Sequence, residues 1–160
     1  MPRKLTAWMV PVVLGAIALS AGSLASASAN HGSNKNARLV LIEKSTAGTF
    51  VDVDKSGEAP TVGDVFVFQS DLFDAATNAK VGTVEGHCTV ITETLSDCDA
   101  SGVLAGGQIR VAGASTDADV NVLAVTGGTG IYRNVSGQIT IENIDDNTSK
   151  DTLELKGVRR

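Results

Sequence analysis

Aromatic residues are scarce in this chain, with one Trp, one Tyr and four Phe among 160 residues. An aromatic ligand would therefore find few rings to stack on. Positive charge is the second scarcity. Thirteen Lys and Arg stand against eighteen Asp and Glu, a formal net charge of −5. Nucleic-acid binding rests on neutralising phosphates, and anionic membrane surfaces ask for the same cations, so both partners are excluded. Acidity here means solubility. There are only two Cys, Cys88 and Cys98, and two His, His31 and His87, with no CxxC or HxxxH spacing between them. That leaves no metal-ligating pattern. No Ser-His-Asp order and no phosphate loop is present, so no cofactor is expected. Beyond residue 29 no apolar run is long enough to cross a membrane as a helix, and helical periodicity is nearly absent.

The one long apolar run is N-terminal, from Leu5 to about Leu24. Arg3 and Lys4 precede it, and Ala27-Ser28-Ala29 gives the small-x-small pattern of a signal peptidase site. Residues 1–29 are thus expected to be a secretory signal, Trp8 leaving with it, and the mature chain to start at Asn30 in the extracellular space. The alternative is an uncleaved anchor. After cleavage no stable membrane association is expected. Removing Arg3 and Lys4 takes the formal charge from −5 to −7 over the remaining 131 residues, enough for one closed core. In an oxidising compartment the two cysteines are expected to form a disulfide across a hairpin, Cys88 ending one strand and Cys98 starting the next.

Residues 30–37 read as a flexible lead-in and 38–160 as the domain. Alternating and β-branched apolar residues punctuated by Gly, Asn and Asp predict eight strands: 38–44, 48–54, 64–73, 80–92, 98–112, 119–126, 131–144 and 151–157. Short connections make neighbours antiparallel. Eight such strands close into a barrel wide enough for side chains or one small ligand, a two-sheet sandwich being the alternative. Glycines within the long strands permit the coiling that a barrel needs. Two stretches are apolar on both faces: Val65, Val67 and Phe73 alternate with Phe66, Phe68 and Leu72, and Leu39 and Leu41 with Val40 and Ile42. Such an outer wall asks for cover, either by another subunit (a homo-oligomer, dimer or trimer) or by a terminal segment or loop.

The densest motif is Val125-Thr126-Gly127-Gly128-Thr129-Gly130-Ile131-Tyr132-Arg133-Asn134-Val135-Ser136-Gly137, a strand running into a glycine-rich reversal. With Gly63-Asp64-Val65-Phe66-Val67-Phe68, Val81 to Thr89, and Leu104 to Gly113, it resembles the GGTGxYRxxxG signature and successive strands of the allene oxide cyclase and dirigent superfamily. The resemblance implies an all-β, eight-stranded antiparallel β-barrel whose interior holds an apolar small molecule. Allene oxide cyclases close a fatty-acid epoxide, dirigent proteins steer phenoxy radical coupling, and bacterial relatives fold polyketide chains. In dirigent proteins an Arg-containing triplet aligns with Val135-Ser136-Gly137. Ser136 replaces that arginine, which argues against lignan-type coupling and, with few rings, points to an aliphatic ligand or none.

Candidate polar groups follow from strand parity. Ile131, Arg133, Val135, Ile139 and Ile141 share one face, so Arg133 either enters the lumen to hold a carboxylate or oxyanion, or pairs at the rim and locks the turn. Glu43 and Asp52 are the candidate carboxylates beside it, each read equally as a solvated acid. Gln69 and Asp71 continue the face of Val65 and Val67 as a polar spot for ligand, and Tyr132 packs with its hydroxyl at a rim. Glu85 and His87 share a polar face that reads as solvent-facing. Three functions are consistent with this: a cofactor-free cyclase or isomerase, a noncatalytic barrel for a lipophilic compound, or a structural surface protein whose lumen is plugged by Val, Leu and Ile.

Overall fold

The computed structural model describes residues 35–57 and 60–159, so the proposed signal over 1–29 lies outside the described residues. Eight strands follow in order: β1 Lys35–Val51, β2 Val65–Asp74, β3 Lys80–Thr92, β4 Leu95–Leu104, β5 Gly107–Thr116, β6 Val120–Gly128, β7 Ser136–Asp145 and β8 Thr148–Val158. Each pairs antiparallel with its sequence neighbours, and β1 pairs with β8 to close the barrel. Closure leaves no free sheet edge through most of the wall. The only helix among the described residues is a three-residue 3-10 turn, Gly130–Tyr132.

The number of strands agrees with expectation, but two boundaries do not, and they compensate. Residues 38–44 and 48–54 were expected as separate strands, yet β1 is continuous through them. Thr46-Ala47-Gly48 is absorbed as a bulge, with Ser45 opposite Ser70 and Ala47 opposite Gln69. One extra residue bends a strand without ending it, so β1 pairs with β8 over Lys35–Lys44 and continues on β2 alone to Val51. Conversely, 98–112 was expected as one strand and is two. Ala105-Gly106 is a tight turn, with Leu104 opposite Gly107. The lead-in also ends earlier than expected, since Lys35 and Ala37 already oppose Val158 and Leu155.

The period-two alternation decides what the lumen holds. Leu41, Leu72, Val84, Val111, Leu123, Ile139 and Leu153 point inward and are buried. Each contributes roughly 1.5–3 kcal/mol of apolar burial. Cys88 and Cys98 are directly opposed across β3 and β4 and form a disulfide that faces the lumen. On β2, Phe66, Phe68, Ser70 and Leu72 face inward, whereas Val65, Val67, Gln69 and Asp71 face out. The outer strip therefore leaves Val67 and Val51 exposed among the described residues.

Up-and-down topology puts alternate connections at opposite ends. One end gathers the β2–β3, β4–β5 and β6–β7 connections, and there the glycine motif locks onto the β4–β5 turn. The Ile131 amide donates to the Gly106 carbonyl, and the Thr129 amide to that of Gln108. Gly107 has φ +134°, and a Cβ there would sit 2.3 Å from the Thr129 oxygen; at Gly130 it would sit 2.2 Å from that of Gly106. Only glycine allows the two turns to approach this closely. Tyr132 and Val135 are buried behind them.

Candidate functional site

The lumen is not filled. A cavity of about 340 Å3 lies inside the barrel, walled by the inward leucines, valines and isoleucines with Phe66 and Phe68. It reaches the end opposite the glycine motif, where Asp145, Asp146, Asn147 and Thr148 of the β7–β8 turn line it together with Ser115. A volume of this size is at the lower end of that used by proteins that enclose small organic ligands.

Its most unusual group is Asp151. Strand β8 places it opposite Leu41 on one side and Ile141 on the other, with Leu153 next on the same face. Only 2% of it is exposed. Ser149, two residues away on that face, donates its hydroxyl to Asp151 Oδ1 at 2.8 Å. Glu43 of β1 lies opposite Ser149, which makes it the diagonal neighbour of Asp151, close enough to share a hydrogen bond. Burial among aliphatic side chains, then the negative charge and hydrogen bond of Glu43, push the Asp151 carboxyl up to about 8. At neutral pH Asp151 is therefore a neutral acid beside a half-buried carboxylic group. One can donate a proton and the other accept one.

A second acidic group lies in the β1–β2 loop. Oxygens of Asp52, Asp54 and Asp64 come within 4.8 Å of one another. Asp64 is fully buried and accepts hydrogen bonds from the Val53 amide, the Thr61 amide and the Thr61 hydroxyl. The amides of Thr61 and Val53 hold its carboxyl below the ordinary range, as the Ser56 amide does for Asp54. Asp52 accepts from the Gly57 amide at 2.9 Å. Backbone donors occupy Asp54 and Asp64, while Asp52 keeps its Oδ1 buried without a partner; the three acids brace the loop.

The candidate residues named from sequence are thus dispersed. Glu43 lines the cavity. Asp52 is in the loop and outside the cavity wall. Arg133 lies on the exposed C-cap of the 3-10 turn, not on β7, because the strand begins only at Ser136. Parity had been carried back through a turn that breaks it. Tyr132 is a buried core residue, its hydroxyl pushed up by burial. Gln69 is on the outer wall opposite Ala47, and Asp71, also outside, pairs with Lys80 at 2.7 Å. Glu85 and His87 face out as well. Asp151 was not singled out, although an acid in the alternation Ser149, Asp151, Leu153, Leu155 was the legible signal.

Residues 45–154 match the family model of the allene oxide cyclase barrel like domain. The chain belongs to this family. Among solved structures it is similar to a pyocyanin demethylase, at 26% identity and TM-score 0.64, covering 74% of this chain and 99% of that one. It is also similar to AbnU, an exo-specific intermolecular Diels-Alderase, at 19% identity and TM-score 0.65, covering 79% and 100%. A pterocarpan synthase dirigent protein matches at 16% identity and TM-score 0.63, covering 79% and 86%. No curated protein matches the chain. The allene oxide cyclase barrel like region includes Asp151 but begins two residues after Glu43, so half of the carboxyl pair lies outside what the family model spans.

Proposed function

We propose that this barrel is exported, encloses an apolar small molecule in its lumen, and steers that molecule's cyclisation or isomerisation without a cofactor. The observation that carries the reading is the Glu43–Asp151 pair set among the inward aliphatic side chains of a cavity of about 340 Å3. Asp151 would donate a proton to the enclosed molecule and Glu43 would take one from it, while the walls fix the molecule's shape. The pyocyanin demethylase and the Diels-Alderase share the fold, and their activities support small-molecule chemistry for this barrel. A purely structural barrel would have no use for an open lumen, nor for an acid held neutral inside it.

Native mass spectrometry of the protein recovered from the culture medium of its own host tests this reading. The expected result is a chain starting at Asn30 that carries a small-molecule adduct, with the subunit count in the same spectrum. Ala100→Leu, which fills part of the cavity wall, should remove the adduct. Bare protein that also takes up no lipophilic probe would sink the proposal.

A further inference from the structure

We infer that the lumen takes a cationic amphiphile, an apolar body bearing one positively charged nitrogen, with the nitrogen seated beside the carboxyl groups of Glu43 and Asp151. This rests on the ligand-binding reading above and names its substrate class. Four ionisable residues line the cavity, Glu43, Asp145, Asp146 and Asp151, and all four are acids, with Asp151 a neutral hydrogen-bond partner at pH 7. Among the described residues no Lys, Arg or His lines it. The nearby cations are turned elsewhere. On the outer wall Lys44 lies over the Phe73 ring at 4.8 Å, and Lys150 is bonded to Glu142 at 2.7 Å; Lys55 belongs to the β1–β2 loop.

A carboxylate head, such as that of a fatty acid, would thus enter an acidic mouth with no counter-charge. Juxtaposed like charges oppose binding in a partly desolvated site. A neutral ligand would gain only apolar burial. An ammonium gains that burial and the carboxyl groups together. Phe66 and Phe68, stacked with centroids 6.1 Å apart, add to the apolar wall that takes the body of the molecule.

The long-range field points the same way. The turns at the open end carry Glu93, Asp117, Asp119, Asp145 and Asp146 against Lys55, while the closed end carries Lys35, Lys80, Arg133 and Arg159 against Asp71 and Asp74. A barrel polarised in this way draws cations to its mouth and repels anions from it.

The test is a head-group series on the purified protein. N-phenyl-1-naphthylamine, a neutral lipophilic fluorophore, reports entry to the lumen, and decylammonium, decanol and decanoate compete for it at pH 7 below their micellar concentrations. Decylammonium is expected to displace the probe at about a tenfold lower concentration than decanoate, with decanol between them. The double variant Glu43→Gln, Asp151→Asn should still bind the probe but lose that order. If that variant fails to fold by circular dichroism, the wild-type series decides alone. Probe binding with decanoate equal to or better than decylammonium would overturn the inference and leave the ligand-binding reading standing. No probe binding, and no thermal protection by any of the three, would overturn both.

Discussion

Asp151 links the chemistry of the lumen to the stability of the fold. An aspartate ionises near 3.8 when exposed, but in the barrel its carboxyl is raised to about 8. Between these values the folded chain holds a proton that the unfolded chain has released. Folding stability contributed by this group is therefore full below about pH 4 and declines as pH rises towards 8. Asp151→Asn keeps the shape and cannot ionise, so it should raise the melting temperature at pH 8.5 and change it little at about pH 3.5. Thermal unfolding at the two pH values checks this, and equal shifts at both would contradict it. Asp64 behaves oppositely. Its lowered carboxyl stabilises the fold above the ordinary range, and that contribution is lost as pH falls through its folded value. Asp64→Asn should therefore destabilise at pH 7 and destabilise progressively less as the medium is acidified below the ordinary carboxylate range, as equilibrium unfolding in urea would show.

At the scale of the elements, the closed end depends on two turns in contact. Gly107→Ala forces a Cβ towards the Thr129 oxygen at a positive φ. A loss of about 2 kcal/mol or more is expected in urea unfolding, because both strain and a backbone clash act there. The disulfide is the other local device. Cys88 and Cys98 close a loop of ten-residue separation, so replacing both with Ser should cost about 2–3 kcal/mol, and reductant should lower the wild type to the same level. Most strands were legible because period-two alternation is imposed by the pleat itself. The merged β1 and the split between β4 and β5 were not. Glycines at 48 and at 106–107 look alike in sequence, yet a partner strand runs past the first and ends at the second. Arg133 was misplaced for the same reason, since parity is reset by any turn.

For the whole molecule, the separation of charge between the two ends predicts a kinetic effect. Between about 20 and 500 mM salt the screening length shrinks several-fold. Association of decylammonium should slow by about tenfold across that range, whereas decanol should be unaffected. Stopped-flow fluorescence with the displaced probe measures both, and equal salt dependence would remove the role given to the mouth. The outer strip with exposed Val51 and Val67 is a feature of the same scale. Its two-sided apolar strands could be read from the chain, because alternation shows a missing polar face directly.

By itself the sequence determined that this is an acidic, all-β chain of eight strands, with an opposed cysteine pair and a glycine reversal of a known barrel type. These properties depend on neighbours along the chain: side-chain period, turn chemistry and net charge. Only the tertiary structure decided that the lumen stays open, that Glu43 meets Asp151, and that Arg133, Gln69 and Asp71 lie outside it. The meeting of Glu43 and Asp151 depends on the register between β1 and β8, strands from opposite ends of the chain. A shift of one residue there would turn Asp151 out into water, where it would be an ordinary acid.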